Sequence, residues 1–126
     1  MGTINVLTPG DVSNKLLAST RHLHHGSYFL HTGLKPGIAD IFRRAKALGL
    51  TTSLDTNWDP DNRWEGLDEM LPLTDIFMPN DEEALRISRK GTLEEAGAFF
   101  LDQGVRIVTI KTGSKGARIV TRDGTI

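Results

Sequence analysis

The stretch VRIVTIKTGSKGARIVT, residues 105–121, decides how this chain is expected to fold. The run from Val105 to Ile110 is mostly apolar and β-branched, which predicts a strand. A short glycine-containing loop follows, and the run from Ala117 to Thr121 predicts a second strand that pairs back on the first. The stretch therefore predicts the closing hairpin of a sheet, and the residues before it decide which kind of sheet is closed.

Strands and helices alternate through the residues before this hairpin. The clearest helix covers residues 35–48, where Ile38, Ile41 and Phe42 recur at helical spacing and Gly49 provides the end. The other predicted strands cover residues 3–8, 22–27, 50–54 and 75–78, and the other helices cover residues 13–19, 64–71, 81 onward and 92–103. Strands separated by helices indicate parallel pairing with right-handed crossovers. We therefore expect one α/β domain over residues 1–126, a three-layer, doubly wound and mostly parallel sheet that ends in a β-hairpin.

Composition narrows the function classes. The 126 residues include 38% hydrophobic and 25% charged residues, carry a formal net charge of −1, and contain no cysteine. Disulfides, thiolate metal sites and cysteine nucleophiles are therefore excluded for these residues. No apolar run reaches the roughly 20 residues that span a bilayer, and a near-neutral charge argues against a dedicated nucleic-acid binder. We expect a cytoplasmic domain with neither a membrane nor a nucleic acid as partner.

The last residues carry a turn signal. Asp123-Gly124 favours a hairpin, yet only Thr125 and Ile126 follow it. A turn without a returning strand predicts that the chain stops within the fold, and a frayed terminus is the alternative. A sheet edge left unpaired in this way tends to pair with another chain, so a homodimer through exposed sheet edges is expected.

Ligands of open parallel sheets bind beyond the carboxyl ends of the strands. That rule selects residues after four strands, which are Ser27, Tyr28, Asp55, Thr56, Asn57, Arg63, Asn80, Glu83, Lys111, Thr112, Gly113, Ser114 and Gly116. The candidate site residues among them are Tyr28, Asp55, Asn57, Arg63, Asn80, Glu83, Lys111, Gly113, Ser114 and Gly116.

Two pairs of these residues each have two interpretations. Asp55 and Asn57 could accept hydrogen bonds from hydroxyl groups or hold hydrated magnesium, or Asp55 could simply stabilise a turn. Asn80 could cap the helix that follows it, and together with Glu83 it could also organise water around magnesium.

The loop after Lys111 and a group of histidines are the remaining candidates. Glycines let backbone N–H groups approach an anion, but the same loop could be only a hairpin turn, and no Walker A or G-x-G-x-x-G pattern is present. His22 and His24 would share one face of a strand, which raises a metal hypothesis. No carboxylate lies near them at ligand spacing, so packing or hydrogen bonding is the alternative.

Four segments in order resemble the central part of the ribokinase-like sugar kinases, the phosphofructokinase-B family. They are HLHHGSYFL at 22–30, SLDTNW at 53–58, DIFMPNDEEA at 75–84 and VTIKTGSKGA at 108–117. The resemblance covers residues 11–124 and implies ATP-dependent phosphorylation of a sugar hydroxymethyl group with magnesium. It implies that Asn80 and Glu83, an N-x-x-E motif, organise magnesium and phosphate.

The same resemblance implies roles for the other candidates. Lys111 and the loop residues Gly113, Ser114 and Gly116 would lie near the nucleotide phosphates. Asp55 and Asn57 would face the site from the substrate side, together with Arg63 and Tyr28. Arg63 follows the asparagine by six residues, where the family usually places an arginine after two.

Other parts of the family pattern are absent from these residues. The N-terminal glycine pair, the sugar-binding lid and the later glycine-alanine-glycine-aspartate motif, which supplies the catalytic base, are missing. We therefore expect this polypeptide alone to be an inactive fragment of a kinase. Two alternatives are a receiver domain that accepts a phosphoryl group on Asp55 beside Lys111, and a non-catalytic module for nucleotide binding or association.

Overall fold

The computed structural model describes residues 12–26, 37–56, 64 and 66–125. Within them the strands are β1 (His22–Gly26), β2 (Thr51–Asp55), β3 (Ile76–Phe77), β4 (Ile107–Lys111), β5 (Ala117–Thr121) and β6 (Gly124–Thr125). The α-helices are α1 (Asn14–Ala18), α2 (Ile38–Ala47), α3 (Asp81–Ser88) and α4 (Leu93–Asp102). Two short 3₁₀ helices cover Leu71–Leu73 and Gly113–Lys115.

The six strands form one sheet in the order β1-β2-β3-β4-β5-β6. The pairs from β1 to β4 are parallel, whereas β5 pairs antiparallel with both β4 and β6. The expected mostly parallel α/β sheet that ends in a hairpin is confirmed. Because consecutive parallel strands are neighbours, right-handed crossovers place the connecting helices against the same face of the sheet.

That helix-covered face holds the apolar core. Phe77 of β3 meets Phe100 of α4 edge to face, with ring centroids 4.8 Å apart, and both side chains are fully buried. Val120 of β5 lies so close to α4 that a Cβ on Gly97 would stand 3.2 Å from both of its γ-methyl carbons. Residues on the opposite face, such as His24 and Ile119, are exposed. The alternation of buried and less buried positions along β4 follows from this one-sided packing.

Helix ends follow local capping rules. The side chains of Ser13, Asn80 and Thr92 accept N–H groups at the starts of α1, α3 and α4. Gly49 has φ +85°, which supplies the left-handed conformation after α2 that was expected of it.

The buried side chain of Asp75 links the start of β3 to α2 and β2. Both carboxylate oxygens of Asp75, before β3, accept from Lys46 Nζ of α2 at 2.7 Å, and Oδ2 also accepts from the backbone of Thr52 in β2 at 2.9 Å. Burial alone would raise the pKa of Asp75, but these hydrogen bonds outweigh it and lower the pKa.

Two expectations about secondary structure are wrong. No α-helix covers the described part of residues 64–71, because Trp64 and Gly66 both have positive φ and the chain then turns into the 3₁₀ helix that contains Pro72. The chain does return after the final turn, because Gly124 pairs with Thr121 and the two turn residues lie one position earlier than expected. The strand expected at 3–8 lies outside the described residues.

Candidate functional site

Three chain segments meet at the carboxyl edge of the parallel strands. Asp55 is the last residue of β2, Asn80 follows β3, and Lys111 is the last residue of β4. The backbone N–H of Lys111 donates to the carbonyl of Pro79 at 2.9 Å, and Asn80 forms an isolated parallel bridge with Lys111. These residues therefore lie together, as expected from the carboxyl-end rule.

An ion pair crosses this edge. Lys111 Nζ donates to Asp55 Oδ2 at 2.9 Å, and the pair spans the end of β3 from β4 to β2. The Lys111 side chain remains 44% exposed and that of Asp55 remains 22% exposed. Because Lys111 is reachable from solvent, its ammonium group can exchange this carboxylate for another anion.

Asn80 and Glu83 form a reciprocal capping box at the start of α3. Glu83 N–H donates to Asn80 Oδ1 at 2.8 Å, and Asn80 N–H donates to Glu83 Oε1 at 2.9 Å. The capping interpretation of Asn80 is therefore confirmed, while the magnesium interpretation stays a prediction.

The pKa of Glu83 is also affected by the other charged side chains at this sheet edge. Its side chain is buried, and burial is the main reason that its pKa is raised. The negative charge of Asp55 raises the pKa further, while the positive charge of Lys111 opposes this effect. Two carboxylates and one ammonium group therefore influence one another, and an additional cation would relieve the repulsion between the carboxylates.

The glycine loop closes on itself beside Lys111. Both the N–H and the hydroxyl of Thr112 donate to the carbonyl of Gly116, at 2.8 and 2.9 Å. Gly113 and Gly116 have φ of +61° and +98°, conformations that L side chains rarely adopt. No described atom lies within 4 Å of a Cβ built on either glycine. Ser114, between them, is exposed, so the backbone on this side of the loop is open to a ligand.

A cleft of about 570 Å³ adjoins the loop. Its lining includes Asp81 at the start of α3, Thr112, Lys115 and Arg118, and Arg118 pairs with Glu94 at 2.7 Å. The volume lies within the range of small-molecule sites. Sequence reasoning did not select Arg118, because its position beside the loop depends on how β5 pairs with β4.

Thr56 is a further residue at this edge, to which the sequence assigned no role. It follows Asp55 directly and is fully buried, and its hydroxyl has no hydrogen-bond partner among the described residues. A buried hydroxyl usually has a partner. Because Thr56 follows Asp55, its hydroxyl group lies next to this sheet edge with its donor and acceptor capacity unused by the described residues.

The structure leaves some candidates untested. Tyr28, Asn57 and Arg63 lie outside the described residues. His22 and His24 hydrogen-bond to β2, which confirms the bonding alternative, and the described residues contain no group of three or more side chains suited to hold a metal ion. Among the described helices, none is long and apolar enough to cross a membrane.

The comparison with protein families decides the relationship. The model of the pfkB family carbohydrate kinases matches residues 2–126. The chain belongs to this family. In alignments of 93 residues that cover 70% of the chain, it is 31% identical to a bifunctional ribokinase/ribose-5-phosphate isomerase A of Fructilactobacillus sanfranciscensis and 30% identical to a ribokinase of Staphylococcus aureus.

Solved structures agree with the family assignment. A putative ribokinase II from E. coli in complex with ATP and Mg²⁺ superimposes with a TM-score of 0.84 and 29% identity, over 96% of this chain and 41% of that one. A PfkB protein from Polaromonas sp. JS666 gives 0.82 and 23% identity, over 95% and 44%. The expected ribokinase-like fold is thereby confirmed. The receiver-domain and non-catalytic alternatives gain no support from these matches.

The match is partial with respect to the relatives. The chain covers 16% and 29% of the two curated relatives, and less than half of each of the two solved chains.

Proposed function

We propose that these residues form the nucleotide and magnesium side of the active site of an ATP-dependent sugar kinase. The observation that supports this most is the meeting of Lys111, Asp55 and the Asn80–Glu83 pair at one sheet edge, beside an open glycine loop. Phosphoryl transfer depends mainly on positioned charge, and this edge supplies a lysine, two carboxylates and accessible backbone.

The phosphates of ATP are assigned to Lys111 and the loop. Lys111 Nζ would exchange Asp55 for a phosphate oxygen, which its partial exposure permits. Gly113 and Ser114 would present backbone N–H groups, whereas the Gly116 N–H already donates to the carbonyl of Gly113 at 3.1 Å. Gly116 would contribute because, like Gly113, it has no Cβ to keep the anion away from the backbone. The adjoining cleft beside Thr112 has room for more of the nucleotide.

Magnesium is assigned to the start of α3. The side chains of Asn80 and Glu83 offer the oxygen donors that Mg²⁺ prefers, and the ion is usually bound with several waters retained. Glu83 Oε1 serves the cap, so its second oxygen is the one assigned to a magnesium-bound water. When bound, the ion would neutralise phosphate charge, and it would also relieve the repulsion that helps to raise the pKa of Glu83.

The sugar side is assigned to Asp55, with Asn57, Arg63 and Tyr28 as further candidates. The glycine-alanine-glycine-aspartate motif that supplies the family's base does not occur in these 126 residues. A polypeptide of these residues alone is therefore proposed to bind MgATP as a single domain without transferring phosphate to a sugar.

Calorimetry with MgATP tests the proposal. Replacement of Lys111 by Met should weaken binding about tenfold or more, because a charge-assisted hydrogen bond contributes about 1.5–3 kcal/mol. The matched control is Lys15→Met on exposed α1, which makes the same charge change away from the edge and should leave the dissociation constant unchanged. Equal weakening of MgATP binding by both variants would show that the loss comes only from the change in net charge. No saturable binding by the folded wild-type chain would overturn the proposal.

A further inference from the structure

A glutamate of α4 and an arginine of β5 form an ion pair on the wall of the cleft beside the glycine loop. Arg118 Nη1 donates to Glu94 Oε1 at 2.7 Å. Both side chains line the cleft, which has a volume of about 570 Å³. The antiparallel register pairs Arg118 with Ile110, the residue before Lys111. The ion pair therefore lies close to the residues assigned to the phosphates.

The cleft adjoins the residues assigned to phosphate and to magnesium. Its lining includes Thr112, which follows Lys111, and Asp81, which follows Asn80. A nucleotide whose phosphates lie at the sheet edge can therefore extend its nucleoside part into the cleft. This placement rests on the proposed function, which supplies the position of the phosphates.

The charges in the cleft make it a poor site for phosphate. Asp81 and Glu94 contribute two carboxylates to its lining, and Lys115 and Arg118 contribute two cations, of which Arg118 is paired with Glu94. These charges balance, so the cleft offers no net attraction for an anion. Carboxylates accept hydrogen bonds and do not donate them, so the ligand groups that they favour are donors such as hydroxyl groups.

Glu94 is the carboxylate that is better placed to accept from a ligand. A hydrogen bond from its own backbone N–H and the bond from Arg118 lower the pKa of Glu94, which keeps it ionised. Its side chain remains 73% exposed, and an ionised carboxylate has about four acceptor positions, so some stay open to a ligand. Asp81 is held toward its own helix instead, because its Oδ1 accepts from the backbone of Glu82 at 2.8 Å.

We propose that Glu94 accepts hydrogen bonds from the 2′- and 3′-hydroxyl groups of the nucleotide, so that the site selects ribonucleotides over nucleotides without these hydroxyls. A vicinal diol offers two O–H donors, which match the acceptor positions of one carboxylate. Dinucleotide-binding folds recognise a ribose hydroxyl with an acidic side chain in a comparable way. Arg118 is a positioning residue, because its guanidinium group holds Glu94 from the neighbouring strand.

Calorimetry with MgATP and with the magnesium complex of 2′,3′-dideoxyATP tests the assignment. The two nucleotides share base and phosphates and differ only in the two hydroxyl groups. The wild type should bind the dideoxy nucleotide about fivefold more weakly, because hydrogen bonds to the carboxylate are lost. The two dissociation constants should become equal in Glu94→Ala and approach each other in Arg118→Met. The preference is the readout because removal of a charge changes the attraction for both nucleotides alike.

Glu69→Ala is the matched control. Glu69 is a comparably exposed glutamate that pairs with Arg43 at 3.1 Å and does not line the cleft, so this variant should keep the wild-type preference. Equal binding of both nucleotides by the wild type, an unchanged preference in Glu94→Ala, or a lost preference in Glu69→Ala would overturn the role of Glu94 and leave the proposed function standing. Absence of any MgATP binding would overturn both.

A measurement on the unmodified chain covers the case in which the Glu94 or Arg118 variant does not fold. The backbone amide signal of Glu94 and the Nε–H signal of Arg118 are observed by NMR during titration of ¹⁵N-labelled protein with each nucleotide. Both signals should shift further at saturation with MgATP than with the dideoxy complex. Equal shifts with the two nucleotides would contradict the assignment.

Discussion

Replacement of Asp55 by Asn should strengthen nucleotide binding if Lys111 is the phosphate ligand. In the structure Lys111 Nζ is engaged by Asp55 Oδ2 at 2.9 Å, so a phosphate must compete with this carboxylate. Asn keeps the shape of the side chain and removes its charge. The variant therefore removes the ion pair and weakens the attachment of Lys111, even where the amide oxygen still accepts a hydrogen bond.

The magnitude follows from the exposure of the pair. Fully exposed ion pairs contribute up to about 1 kcal/mol, and the 44% and 22% exposure of the two side chains places this pair near the upper end of that range. About 1 kcal/mol corresponds to roughly a fivefold change in a dissociation constant. We therefore expect Asp55→Asn to bind MgATP up to about fivefold more tightly.

A double-mutant cycle measured by calorimetry provides the assay. The wild type, Asp55→Asn, Lys111→Met and the double variant are each titrated with MgATP at fixed ionic strength. The gain from Asp55→Asn should disappear when Lys111 is already Met, because no ammonium group remains to be released. Weaker binding in Asp55→Asn would refute the reasoning, since Asp55 would then support the nucleotide or its metal rather than compete for Lys111.

Three further predictions concern stability measured by urea unfolding. Burial raises the pKa of Glu83, so the charged carboxylate is disfavoured in the folded state. The stability of the wild type should therefore fall relative to that of Glu83→Gln as pH rises above 4.5. A stability difference between the two proteins that does not change with pH would contradict this prediction. The pKa of Asp75 is lowered, so its effect on pH dependence has the opposite sign: the stability that Asp75 contributes is present above pH 3.8 and is lost as pH falls. Asp75→Asn should lower the free energy of unfolding at pH 7 by about 3 kcal/mol, because it breaks the buried bonds to Lys46 and β2. A loss below about 1 kcal/mol would refute this prediction. Asn80→Ala should cost about 1 kcal/mol through loss of the α3 cap, and more than Ser13→Ala at the short, exposed α1; a larger loss at Ser13 would reverse the order.

Local patterns were sufficient for much of the fold. The helix α2 follows from apolar spacing and Gly49, and β4 and β5 follow from β-branched runs around a glycine loop. The meeting of Asp55 and Lys111 also followed from sequence, because parallel strands end at a common edge. These features depend on short-range spacing and on one general rule of topology.

Other features depend on contacts between distant residues and could not be read from local patterns. Lys46 and Asp75 are 29 positions apart, and their bond requires α2 to lie over the start of β3. His24 and Ser53 are also 29 apart, and only the register of β1 on β2 brings them together. A helix was expected over residues 64–71, but Trp64 and Gly66 adopt positive φ, and the chain forms turns and then a 3₁₀ helix instead.

The central claim is that MgATP binds at the carboxyl edge of the parallel strands. NMR mapping of backbone amides during a titration with MgATP tests this most directly. The claim predicts the largest shifts at Asn80, Glu83 and residues 111–116, with little change at Arg106 and Arg122 on the opposite edge. Shifts concentrated at those two arginines, or no shifts at saturating nucleotide, would contradict it.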